Sequence, residues 1–200
     1  MDESREPRVA GVLLAAGGSS RLGRPKQLLP FGGRTLVEHA LDILLRSPVD
    51  EVLVVLGAHA DQIAPLVQKE RVRVVVNPRW EQGQSTSLHA ALDALPPDCD
   101  AVVFAPCDMP WLTPELIAEI IRTWQHTGKP LVATQGGVVP GIPALAARVV
   151  FEEIARIPGD QGCRALIRGD SARVAHVHAD PHTLMDIDTP EQYQAALEEH

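Results

Sequence analysis

The chain has 200 residues, 18 of them basic and 26 acidic, for a net charge of −8. That is enough chain for one sizeable core, and the acid excess with only 4% aromatics disfavours a nucleic-acid surface. No apolar run reaches the roughly 20 residues of a membrane span, and the polar start "MDESREPR" lacks the apolar core of a signal peptide, so a cytoplasmic protein with no membrane partner is expected.

In chain order, residues 1–7 read as a disordered tail and 8–200 as a single domain. "RVAGVLLA" (8–15), "EVLVVL" (51–56), "VRVVVN" (72–77) and "AVVFA" (101–105) are near-continuous apolar runs, the pattern of parallel strands buried on both faces. Helical spacing fills the gaps. "TLVEHALDILLRS" carries a Thr35/Glu38 capping box, and "HADQIAPLVQ" is a weaker helix broken by Pro65. "STSLHAALDAL" and "PELIAEIIRTWQHTG" are stronger, the latter capped by Thr113 with Pro114 at its first position. After Gly128 the order is an apolar run, a glycine and proline loop, a helix, a short helix in "DQGCRALIRG", a strand at 172–179 and a last helix capped by Thr189. Repeated strand–helix units predict an α/β fold: a doubly wound, mostly parallel, Rossmann-like sheet with helices on both faces.

Ligands in such sheets bind beyond the carboxyl ends of the strands, and the two most chemically loaded loops fall there. The first, "AAGGSSRLGRPK", can bring backbone amides up to a phosphate. Gly18 and Gly23 have the spacing of a P-loop, but Arg24-Pro25 follows where Lys and Ser or Thr belong, and Ser20 interrupts a GxGxxG. A solvated surface turn is the competing reading of this loop. The second, "PCDMPW", puts Asp108 directly after a buried run, where a bare carboxylate is costly unless a cation answers it. Few carboxylates plus substrate phosphates is the usual magnesium arrangement. Asp186 and Asp188 flank Ile187, so an extended backbone turns both to one face; they could serve a metal or cap the last helix. The histidines are scattered, and Cys99, Cys107 and Cys163 lack metal-site or disulfide spacing and read as small buried hydrophobes.

Four segments, "LLAAGGSSRLGRPK", "NPRWEQGQSTSLHAAL", "PCDMPWLTPELI" and "DIDTPEQY", resemble in order the motifs of the MobA-like NTP transferases, over about residues 8 to 197. They are most similar to the molybdenum cofactor cytidylyltransferase branch. The resemblance implies a magnesium-dependent nucleotidyltransferase moving CMP from CTP to molybdenum-bound molybdopterin, with a molybdoenzyme as possible recipient of the product. By the same resemblance, Ala15, Ala16 and Gly17 would lie against base and ribose. Gly18, Ser19, Ser20 and Arg21 would cradle the β- and γ-phosphates, and Lys26 would reach the α-phosphate. Gly83, Gln84, Ser85, Thr86 and Ser87 would contact the base or hold its loop. Asp108 would hold the metal with Asp188, or less readily Asp186, and Arg21, Lys26 and Asp108 would carry catalysis. Gly141, Pro143, Asp160 and Gly162 would meet the acceptor, although Ile142 stands where that branch has a histidine. GTP, or a sugar or alcohol phosphate acceptor, would keep the same chemistry. A cofactor-carrying maturation chaperone is the alternative of another class, and it would not need Lys26 or the carboxylates.

Overall fold

The computed structural model describes residues 5–19, 22–136, 141–159 and 161–199. Seven strands form one sheet: β1 (Val9–Ala15), β4 (Glu51–Leu56), β5 (Val72–Val76), β6 (Ala101–Pro106), β7 (Leu131–Gln135), β8 (Gly141–Ala147) and β9 (Val174–His178). Their order is β5-β4-β1-β6-β8-β7-β9. Two further short strands, β2 (Pro30–Phe31) and β3 (Arg34–Thr35), make a separate ribbon closed by Gly32 and Gly33, both at positive φ. The helices are α1 (Leu36–Arg46), α2 (Ala60–Ile63), α3 (Ser85–Ala94), α4 (Pro114–Thr127), α5 (Phe151–Ile154), α6 (Arg164–Gly169) and α7 (Pro190–Glu198).

The apolar runs are explained by the two cores they serve. In β1, Val9, Leu13 and Ala15 face the layer of α1 and α4, while Ala10 and Val12 face the layer of α3, α5 and α6. β4 and β6 alternate in the same way. Both faces are covered, so the central strands are apolar almost throughout. Leu41 and Leu44 of α1 are essentially inaccessible, and each such leucine contributes about 1.5–3 kcal/mol on burial. β5 departs from the expectation for a doubly buried strand. It lies at the sheet edge, and its Val76 is more than half exposed.

The largest departure is β8. Residues 141–147, read from sequence as a glycine and proline loop leading into a helix, form an interior strand running antiparallel to both β6 and β7. The Gly-Ile-Pro opening misleads because proline cannot donate to a ladder. The sheet absorbs it through a register shift: Ala133 pairs with Ala144 but Thr134 with Gly141, leaving Ile142 and Pro143 as extra residues of β8, and Thr134 Oγ1 donates to the Pro143 carbonyl at 3.0 Å. The three caps behave as read: Thr35 and Thr189 form capping boxes with Glu38 and Gln192, and Thr113 accepts from the Leu116 amide. Among the described residues, no helix is long and apolar enough to cross a membrane.

Candidate functional site

The loops after β1, β5 and β6 surround a cleft of about 350 Å³ beyond the carboxyl ends of the strands. The loop after β1 is held from beneath by Gln27, which is wholly buried. Its amide donates to the Ala15 carbonyl at 2.9 Å and to the Gly17 carbonyl at 2.7 Å. Ser19, at φ 53°, donates its hydroxyl to Gln27 Oε1 at 3.3 Å and accepts from the Lys26 amide at 2.9 Å. The Ser19 side chain therefore braces the loop from inside, leaving the glycine backbones to face the cleft. Ser20 and Arg21 lie outside the described residues.

A second buried amide holds the loop after β5. Asn77 donates to Thr86 Oγ1 at 2.8 Å and Ser87 Oγ at 3.0 Å, and accepts from the Arg79 amide. Gly83, at φ 116°, turns the chain into α3. Trp80 joins the two loops. A Cβ on Gly18 would come within 3.0 Å of the indole, and one on Gly57 within 2.6 Å of Trp80 Cβ and 2.7 Å of its ring, so both glycines make room for a single side chain. The cleft wall includes Ala16, Gly17, Gly18, Gly83, Gln84 and Ser87. Ala15, Ser85 and Thr86 are buried behind it, where they hold the loops.

Lys26, Asp108 and Asp188 meet at the cleft floor. The ammonium of Lys26 bonds Asp108 Oδ2 and, at 3.0 Å, Asp188 Oδ1. Side-chain exposures of 15%, 16% and 30% leave these charges only partly screened by solvent. Burial opposes the lysine charge, but the two carboxylates outweigh it and hold the ammonium above its ordinary range. Asp188 is brought in from the far end of the chain. The Ile187 amide donates to the Asp108 carbonyl at 2.9 Å, and Gln192 accepts from the Asp188 amide. Asp186 stands off the lysine. Loss of solvation, then the like charges of Asp108 and Asp188, push its carboxyl up.

Two carboxylate oxygens already converge on one cation, a hard-oxygen set that suits a divalent metal completed by substrate phosphates. Among the described residues, no cluster of three or more His, Cys, Asp or Glu side chains forms a ready-made metal cage. Cys107 lines the cleft, but burial and then the neighbouring Asp108 charge push its thiol up to about 12, so it is no nucleophile at neutral pH. All three cysteines are free and buried, as expected.

The residues expected at the acceptor divide. Gly162, at φ 53°, presses on Gln84; a Cβ there would lie 2.7 Å from Gln84 Oε1. Gly141 sits beside the Arg164 guanidinium, and Pro143 is buried within β8. Ile142 packs between the two apolar layers, and Asp160 lies outside the described residues.

The model of the MobA-like NTP transferase domain matches residues 11–178. The chain belongs to that family. Nicotine blue oxidoreductase of Paenarthrobacter nicotinovorans is 34% identical, covering 98% of this chain and 100% of its own. The molybdenum cofactor cytidylyltransferase of Escherichia coli K12 is 26% identical, covering 94% and 95%. Among solved structures, Rv0371c of Mycobacterium tuberculosis superposes with a TM-score of 0.85 at 30% identity, covering 96% of this chain and 98% of that one, and it has also been solved with manganese. MobA-like transferases typically use divalent metals, and in this chain Asp108 and Asp188 both bond the Lys26 ammonium. Gln27, Asn77 and Trp80 are the residues the motif reading overlooks. "KQLL" and "VVVN" do place an amide beside an apolar run, which is the only local signal of a buried polar anchor.

Proposed function

We propose that this chain is a magnesium-dependent nucleotidyltransferase that moves CMP from CTP to the phosphate of molybdenum-bound molybdopterin, releasing pyrophosphate. The observation that carries the reading is Lys26 paired with Asp108 and Asp188 beneath a glycine loop, at the one edge of the sheet where this fold binds ligands. A chaperone that only carried a finished cofactor would have no use for that trio.

In the proposed reaction an acceptor phosphate oxygen attacks the α-phosphorus. The bond from that phosphorus to the bridging oxygen breaks, and pyrophosphate leaves with the electron pair. The nucleophile is already an anion, so the protein's task is positioning and charge neutralisation. Backbone amides at Gly17 and Gly18 hold the triphosphate, Lys26 neutralises charge at the α-phosphate, and Arg21 assists at the β- and γ-phosphates. Gln84 and Ser87 face the base, while Gly83, Ser85 and Thr86 shape its loop. Asp108 and Asp188 hold magnesium, with Asp186 as the lesser candidate, and the metal when bound supplies positive charge to the phosphates. "LAAG" together with "GQSTSL" supports CTP. Gly141 and Gly162 border the acceptor, with Pro143 and Asp160 in the same segments.

The test is pyrophosphate release from each of the four nucleoside triphosphates, with magnesium and molybdenum-loaded molybdopterin. Release with CTP alone, dependent on acceptor, is expected. Release with GTP alone would keep the transfer and overturn the base assignment. Release only with a sugar or alcohol phosphate would move the acceptor. Silence with every nucleotide, together with redox turnover of nicotine blue, would place the chain with the chemistry named for its Paenarthrobacter relative. Silence with retained cofactor delivery would make it a chaperone.

A further inference from the structure

The two carboxylates offered to a metal are already answered by a cation of the protein's own. Lys26 bonds one oxygen of Asp108 and one of Asp188, and all three side chains are largely shielded. A divalent ion arriving alone would meet two ligands and an ammonium seated between them. Like charges at such separation in a partly desolvated site repel strongly. A triphosphate changes the balance, because its oxygens offer Lys26 a new anion and give the metal additional ligands.

We infer that Lys26 is the residue that decides which form of the metal this site accepts: it bars the free ion and admits the ion only together with a nucleotide. The inference rests on the transfer reading and adds to it a discriminating role for the lysine in the ligand-free protein. Lys26 is thus held in reserve by the metal's own ligands until a phosphate draws it away. The nearby Asp186 deepens the negative field without touching the ammonium, so the site attracts cations in general, and the lysine supplies the discrimination.

Manganese is the probe, followed on the full chain by water-proton relaxation enhancement, with manganese and CTP in free solution as the blank. Wild type is expected to bind Mn2+ weakly alone and to form a strongly enhanced ternary complex with CTP. Lys26→Met should bind Mn2+ without nucleotide roughly tenfold more tightly than wild type. Lys26→Arg should keep the exclusion, and Lys26→Met with Asp188→Asn should lose the gain, which ties it to the carboxylate pair. Thermal melting of each variant reports folding, and the wild-type arms alone decide the matter if Lys26→Met does not fold. Free Mn2+ bound by wild type as tightly as in the presence of CTP, or no tighter binding by a folded Lys26→Met, overturns the exclusion. The transfer reading survives either result provided CTP still enhances the signal. No enhancement in any protein, with or without CTP, overturns both.

Discussion

The two sides of the sheet are built on different plans. From β5 to β6 the strands are parallel, and the loops after β1 and β5 are each pinned by an amide buried beneath them, Gln27 and Asn77 respectively. Beyond β6 the sheet takes in one reversed strand, β8, before β7 and β9 run parallel to the rest again, and the links of this side to the cleft are contacts of backbone: Gly162 against Gln84, and the Gly159 carbonyl on the Ser85 amide. The difference teaches that the side proposed for the nucleotide is a preorganised mould. The side proposed for the acceptor is a surface leaning on it through glycine, where a side chain would intrude.

The largest effects are expected where the mould meets the chemistry. Lys26→Ala or Asp108→Asn should lower kcat by roughly 10²–10³-fold in pyrophosphate release, the scale of losing one preorganised charge partner. Next come the amide anchors. Gln27→Leu strands the Ala15 and Gly17 carbonyls and should cost roughly 2–4 kcal/mol in urea unfolding. It should also raise KM for the nucleotide more than for the acceptor; equal effects on both would break the contrast between the two sides.

On the acceptor side, Thr134→Val removes the hydroxyl bond to Pro143 and should cost about 1 kcal/mol, with nucleotide KM unchanged. The buried thiols sample both sides, Cys107 at the cleft and Cys163 beside α6, each pushed up by burial from 9.0 to about 12. A folded value above the unfolded one means stability is full below pH 9 and is lost as pH rises toward 12. Alkaline urea titrations should show this, and Cys163→Ala should remove its share. The smallest expected effect is Ile142→His. Supplying an imidazole at the acceptor side should change acceptor KM by about fivefold, one hydrogen bond's worth, and leave nucleotide KM alone. An equal shift in both would mean that residue 142 acts through the sheet.

The parallel side was legible because its signals are local: apolar runs, capping boxes and glycines within a few residues of one another. β8 was not, because its strand character comes from neighbours on both sides and from a register shift against β7, while Gly141-Ile142-Pro143 on its own reads as a turn. The Gly32-Gly33 pair carries the mark of a two-residue hairpin turn, but strands of two residues give no periodicity to find. At the site, the motifs located Lys26, Asp108 and Asp188. Nothing in one dimension says that the three share a single bond network, or that Gln27, Asn77 and Trp80 hold the walls. That information lies in separations such as the 162 residues between Lys26 and Asp188.

Those 162 residues also order events in time. Asp188 is carried on the segment leading into α7, which is fastened by Ile187 and Tyr193 in a small cluster with Leu29, Phe31 and Leu36. Tyr193 closes it by donating to the Pro30 carbonyl at 2.6 Å. A nascent chain emerging from the ribosome can assemble every strand from β1 to β9 and still lack one arm of the Lys26, Asp108 and Asp188 trio. The final helix works as a keystone: until it seats, the lysine has a single carboxylate.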